Sequence, residues 1–440
     1  MRILFANNLN KYIELFYKVK AKTLISLAII ISLNSCSDND TTPKILAKEK
    51  QIGNIHFYVE TSASMGGYFK NNAEFKTTIS DLTTKIEKTI KPIDIWFIAD
   101  SIKRYNKSTQ EFSSDIATTK IADQKSSQLH KILANIAEKN DSNDVSILVS
   151  DCILSFPDNE ITKNHEINKT EASNALKSNI YSTFSDLKKK GLATSVYAFT
   201  SKFYGTYYDY QNGKHDFSKQ GIKRPYYIWV IADKDLLAKF NSKLSDISSF
   251  MPEKSLQFGL SEEAINKFDI IPQIERKGAD FMPTKVGLEE IEGIKKNDSL
   301  KFCVALNLDN LPIYAKEINY LNENMILENH GCTATKLVKS KSTCDKSKLK
   351  SDVQIEKFDK NTHFIIVSIS EMPLKDASIH IMLPLKYDTW YESWSVPDDK
   401  DVKNIGNTTF AFNHLIDGVK EAYETKNKNY VDFTLTLQKK

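Results

Sequence analysis

The densest chemistry in the chain lies at Glu60-Thr61-Ser62-Ala63-Ser64-Met65-Gly66-Gly67-Tyr68. One carboxylate and two hydroxyls follow the apolar run 55–59 (IHFYV) and precede a helix-spaced run from Phe75. A strand-to-helix turn of this kind lies at the C-terminal edge of a sheet, where open α/β sheets bind ligands. A serine there is the nucleophile in hydrolases, but the chain has no Gly-x-Ser-x-Gly elbow and no histidine placed for a triad. His56 falls inside the strand and is expected to pack there. Phosphatase-like chemistry needs several Asp and His ligands that cannot be assembled from this sequence. Helix capping accounts for the same composition: a serine at a helix start accepts a backbone N–H bond, and a glycine pair permits a tight turn. Asp151, which follows the apolar run 145–149 (VSILV), is open to the same capping role.

These residues need a scaffold that brings several strand ends together. Runs 55–59, 93–99, 145–149, 194–200 and 226–231 carry little internal polarity and read as buried strands. Between them, 75–90 places Ile79, Leu82, Ile86 and Ile90 on one helical face, 127–137 does so with Leu129, Ile132, Leu133 and Ile136, and 171–190 is helical with Gly191 as its stop. Alternating strands and helices predict an α/β class: a Rossmann-like, mostly parallel sheet with helices on both faces, over residues 51–245. Residues 246–297 hold Pro252, Pro272 and Pro283 with weak periodicity, as a linker or wrapping segment. From 298 the period becomes two, in 302–308, 364–369, 379–385 and 431–437. That predicts a β-rich C-terminal domain over 298–440, a sandwich with one helix at 409–423. The aromatic runs 204–210 (YGTYYDY) and 390–399 (WYESWSVPDD) are expected to pack rather than to bind a sugar or peptide.

With the strand order in place, residues 52–235 resemble the von Willebrand factor type A family. That family opens with a strand running into Asp-x-Ser-x-Ser, commonly followed by Met and Gly. The resemblance implies a divalent ion, usually Mg²⁺, held by two serine hydroxyls and by a Thr and an Asp from two later loops. Ser62 and Ser64 match the serines, Ser127-Gln128-Leu129 the Thr-x-Leu position, and Asp151 the closing Asp. Oxygen ligands and waters suit Mg²⁺, which demands near-octahedral geometry. In the family, a protein partner's carboxylate often completes the shell. This chain departs at the first position, where Glu60 stands for Asp. Its extra methylene moves the carboxylate by roughly 1.5 Å, so that it ligates directly or crowds the ion.

The N-terminus fixes the expected address. Lys18, Lys20 and Lys22 precede a short apolar run, 24–33, too short for a membrane span of about 20 residues. Leu33-Asn34-Ser35-Cys36 resembles the lipobox of bacterial lipoproteins. The resemblance implies a signal peptide over 1–35, a covalent lipid on Cys36 and a polar tether over 36–50. The expected location is the bacterial cell envelope, anchored by lipid at the outer membrane. The chain has 60 basic and 56 acidic residues, and removing 1–35 leaves 55 of each. With no basic stripe, nucleic acid is not an expected partner; the membrane and an unidentified protein are. Cys152 and Cys303 sit in apolar runs as buried thiols, whereas Cys332 and Cys344 flank a polar loop that a disulfide could clip in an oxidising compartment. The expected function is therefore a lipid-anchored, non-enzymatic binding module with Mg²⁺ at its protein contact. The alternatives are a metal-free structural envelope component, or a metal- or serine-dependent hydrolase.

Overall fold

The computed structural model describes residues 50–99, 101–118, 121–122, 129–153, 169–261, 263–292, 294, 298–402 and 405–440. Cys36, the expected signal and tether up to residue 49, and Ser127 lie outside the described residues. Strand β1 (Ile55–Glu60) has almost no exposed side chain, as a central strand must. It runs parallel to β2 (Ile93–Ile98) on one side. The short β3 (Ile102–Arg104) folds back antiparallel on the outer edge of β2. On the other side of β1 lies β4 (Val145–Ser150), again parallel.

Helices cover both faces. Helix α1 (Glu74–Thr89) buries Phe75, Ile79, Leu82 and Ile86, and α2 (Thr109–Thr118) buries Phe112 and Ile116. Both pack with Phe57 and Val59 of β1. On the opposite face, Ile132 and Leu133 of α3 (Leu129–Lys139) and Ile180 and Phe184 of α4 (Lys169–Lys189) meet Tyr58 and Leu148. Gly191 ends that layer as predicted, at φ +75°.

The α/β class is thus present, but the sheet is mixed rather than mostly parallel. Strand β5 (Leu192–Phe203) leads not into a crossover helix but into a hairpin, β6 (Thr206–Tyr208) and β7 (Lys214–Asp216). Parallel neighbours need a crossover. Without one, β8 (Ile222–Asp233) turns back and inserts antiparallel between β4 and β5. Helix α5 (Lys234–Ser245) and the antiparallel edge strand β9 (Lys254–Phe258) follow, and the sheet order is β3-β2-β1-β4-β8-β5-β9.

The expected linker does structural work in every layer. Strand β9 joins the first sheet. Strand β10 (Asp269–Ile270) pairs with β13 (Leu300–Leu306), while β11 (Met282–Pro283) and β12 (Gly287–Ile291) pair with each other at the rim of a third sheet. After β13 come α6 (Ile318–Asn324), β14 (Ile326–His330), β15 (Thr333–Ser340), α7 (Asp352–Lys360), β16 (His363–Glu371) and β17 (Asp376–Pro384). The parallel pair β18 (Ser395–Val396) and β19 (Thr409–Phe410), helix α8 (Phe412–Ala422) and β20 (Asn429–Lys439) complete the chain. Two sheets result, β10-β13-β16-β15 and β11-β12-β20-β17-β14. They share one core: Phe302, Val304 and Val367 from the first, Ile379, Ile381 and Leu435 from the second. The outer edge of β15 is closed to further pairing at Val338, whose N–H and C=O bond the Asn322 side chain at 2.8 and 3.2 Å.

Residues 50–440 form one compact unit. Helix α8, read from sequence as part of the β-rich domain, packs instead on α4 of the α/β layer. Trp390, Tyr391 and Trp394 are buried beside it, in agreement with the packing role expected of that run. Cys332 and Cys344 are separate free thiols, and they pack in different clusters. Among the described residues, no helix is long and apolar enough to cross a membrane.

The α8–α4 contact is close enough to reverse an ordinary substitution effect. Helical Gly→Ala normally stabilises by about 1 kcal/mol. A Cβ on Gly418 would lie 2.7 Å from the Lys177 carbonyl oxygen and 3.2 Å from Ile180. Gly418→Ala is therefore expected to destabilise by about 1–3 kcal/mol, as overpacking does. A urea unfolding midpoint that stays or rises would show that the two helices separate freely.

Candidate functional site

Strand β1 delivers Glu60 to the sheet edge, and the chain then leaves the ladder through Thr61, whose N–H still bonds Ile98 at 2.9 Å. Ser62 is extended, and the single 3-10 turn Ala63–Gly67 follows. Ser62 occupies the capping position but makes no capping bond with its side chain. Its hydroxyl donates instead to Glu60 Oε1 at 2.7 Å and meets the Ser64 hydroxyl at 3.0 Å. Capping therefore does not account for Ser62. Of the glycine pair, Gly67 is used for close packing: a Cβ on it would lie 2.4 Å from the Phe203 ring, and a Cβ on Gly205 would lie 2.8 Å from the Gly67 Cα.

Asp151 leaves the end of β4. Its Oδ1 accepts from the Ile153 N–H at 3.1 Å, which is the local turn-capping role foreseen for it. Its Oδ2 is buried and has no hydrogen-bond partner among the described residues. Burial pushes this carboxyl up to about 7, the neighbouring Glu60 charge pushes the same way, and the Ile153 N–H, Ser64 and Arg224 partly offset them. Glu60, Ser62, Ser64 and Asp151 thus gather at one edge, all between 1% and 7% exposed. Ser127, the expected fifth member, lies outside the described residues.

Sequence reasoning missed Arg224. It lies near the start of β8, directly after Lys223 and before the apolar run 225–232, and is only 1% exposed. Its Nη1 donates to the Ile405 and Thr408 carbonyls, the latter at 2.7 Å, and its guanidinium lies 4.5 Å from the Tyr207 ring centroid. Its Nη2 is buried with no hydrogen-bond partner among the described residues. Tyr207 in turn donates to Asp399 at 2.5 Å, and Asp399 also accepts from the Tyr210 N–H. The one available signal was a Lys223-Arg224 pair at the head of a largely apolar strand. Nothing in the sequence paired it with residues some 180 positions downstream.

The donor set is all oxygen: two hydroxyls in mutual contact and two carboxylates, one with an unused oxygen. That set fits a hard divalent cation, which Ser62, Ser64, Asp151 and Glu60 would hold and whose charge would relieve the carboxylate repulsion. Against the fit stands Arg224, a fixed positive charge felt by Asp151. Among the described residues no group of three His, Cys, Asp or Glu side chains converges as a metal site. For hydrolytic chemistry the hydroxyls are poorly set for reaching a substrate, since Ser62 and Ser64 are buried at 2% and 7% exposure. His56 lies four residues before Glu60, 3.3 Å from Asp144 and 3.8 Å from Asp94. Comparison with protein-family models gives no match to this chain, and comparison with curated proteins gives none either.

The strain on Asp151 has a pH signature. A carboxyl held above its ordinary range binds its proton more tightly folded than unfolded. The ion-free chain therefore loses stability as pH rises from about 4 to about 7, and the loss then levels off. Asp151→Asn removes that dependence. It is expected to raise stability at pH 8, without divalent ions, by on the order of 2–4 kcal/mol and to change little at pH 4. Equal stability of the two chains at pH 8, read from urea unfolding, would mean that the carboxylate is not strained.

Proposed function

We propose that this chain is a lipid-anchored envelope protein that binds a protein partner through its α/β unit, with a divalent cation, Mg²⁺ by its chemistry, at the β1–β4 edge. The observation that carries this reading is the unpartnered Asp151 Oδ2 beside Glu60 and the Ser62–Ser64 hydroxyl pair. A buried carboxylate oxygen without a donor is costly, and a cation is the ligand that satisfies it together with both serine lone pairs. The resemblance to A-type domains supports the same edge as the partner-facing one. The burial of all four side chains adds a condition: a partner's carboxylate reaches the ion only if neighbouring chain moves.

Arg224 favours a second reading, a metal-free structural component in which the guanidinium supplies the positive charge that family members take from the ion. The two readings separate on one measurement. Mg²⁺ or Mn²⁺ at millimolar concentration is expected to raise the thermal midpoint of the mature chain, and the rise is expected to vanish in Ser62→Ala and Asp151→Ala. No rise with either ion supports the metal-free component. The anchor has its own test. Cys36→Ser is expected to move the chain from the membrane fraction to the soluble one, and unchanged membrane retention would exclude a lipid at Cys36.

A further inference from the structure

Strand β13 divides its side chains between two layers. Phe302, Val304 and Leu306 enter the core between the two β-sheets, whereas Cys303 and Ala305 face the opposite cluster with Phe358 of α7 and Phe364 and Ile366 of β16. The thiols that follow divide the same way. Cys332, just before β15, packs against the inter-sheet core and points its Sγ toward the Ser378 carbonyl at 3.8 Å. Cys344, just after β15, packs against the α7-side cluster that contains Cys303. The sheet therefore stands between Cys332 and Cys344 and puts Cys344 on the side of Cys303.

We propose that Cys303 and Cys344 are a disulfide pair, formed by exchange with a small-molecule or protein disulfide of the compartment. Cys303 is fully enclosed and Cys344 only partly so, which makes Cys344 the entry point. The Cys344 thiolate attacks the exchange disulfide, forming a mixed disulfide and releasing one thiol. The Cys303 thiolate then attacks Cys344 Sγ, forming the internal bond and releasing the second. Two protein thiols lose two electrons and two protons, and the exchange disulfide is reduced to two thiols. Burial holds both protein thiols above their ordinary range, while the nearby Lys339 ammonium draws them down. Lys339 is fixed there by Glu275 at 2.8 Å. The bond would tie the polar turns after β15 onto the central strand of their sheet. In the cell it rests on the envelope reading for an oxidising environment; its geometry does not.

The test oxidises the reduced, folded mature chain with oxidised glutathione, traps remaining thiols by alkylation, and maps the peptides without reductant. The expected product is two hydrogens lighter, carries a Cys303–Cys344 cross-linked peptide, and unfolds at a midpoint several degrees higher than the reduced chain. Cys332→Ser is expected to leave this unchanged, and Cys344→Ser to abolish the loss of both thiols while the chain stays folded. A Cys332–Cys344 peptide, a glutathione adduct that stops on Cys344, or full retention of Cys152, Cys303, Cys332 and Cys344 as thiols would each overturn the pairing. Alkylation during cell lysis separates the two claims. A chain that oxidises correctly in vitro but is extracted with both thiols alkylated supports the pairing and counts against the oxidising envelope.

Discussion

The β1–β4 edge is short of protons. Glu60, Ser62, Ser64 and Asp151 are buried together, and among these four only the two hydroxyls have hydrogen to donate. Ser62 gives its proton to Glu60 Oε1, so in the 3.0 Å contact between the serines Ser64 must be the donor. The single Ser64 proton is then contested between Ser62 and Asp151, and with it turned to Ser62 the Asp151 Oδ2 is left without a donor. Turning the Ser64 hydroxyl to Asp151 would only move the deficit to Ser62. The shortage can be met by a proton on Asp151, which its raised affinity favours near neutral pH, or by a cation that accepts the surplus lone pairs. Burial makes either one matter, because water cannot make up the difference.

Much of this edge was legible because it is local. The strand ends at Glu60 and Ser150, the turn between β1 and α1, and the apolar stripe of α1 follow from short-range periodicity. Three things were not legible, each for a reason of range. The reversal of β8 depends on the absence of a crossover helix between two strand-like runs, and an absence carries no pattern of its own. The placement of α8 depends on Gly418 meeting α4, while its amphipathic face would suit any apolar surface. Arg224 was invisible because its partners are carbonyls, which every residue has.

These long-range features share one consequence. The C-terminal half is not a separate appendage on the α/β layer. It supplies α8, the buried Trp390–Tyr391–Trp394 group and the residues Asp399, Ile405 and Thr409 to it. Tyr423 hydroxyl bonds the Leu192 carbonyl at 2.8 Å, and Tyr227 stacks on Phe412 at 4.1 Å. A partner that displaced Asp399, Ile405 and Thr408 would therefore have to break the Arg224 and Tyr207 bonds, whose donors are buried. Such bonds, left unmade, cost more than they contribute when formed. Movement at the edge is costly unless something else satisfies Arg224, and an incoming carboxylate is the group best suited to do so.

That requirement changes how Glu60 is understood. The A-type pattern that this turn resembles has the shorter Asp at this position, and the longer side chain is expected either to ligate an ion directly or to crowd it. In the folded chain the longer side chain reaches the hydroxyl two residues ahead and takes its proton. Ser62 is thereby oriented with its lone pairs away from Glu60 and toward Ser64. Glu60 thus presets the hydroxyl two residues on. With Glu60 occupied in this way, Asp151 is the carboxylate left to meet an incoming charge. Its positive neighbour Arg224 then sets the terms, since it makes this edge less attractive to a cation and more so to an anion. Charge at this edge is decided between Asp151 and Arg224, one delivered by a parallel strand that the sequence announces and the other by a strand whose antiparallel insertion it does not.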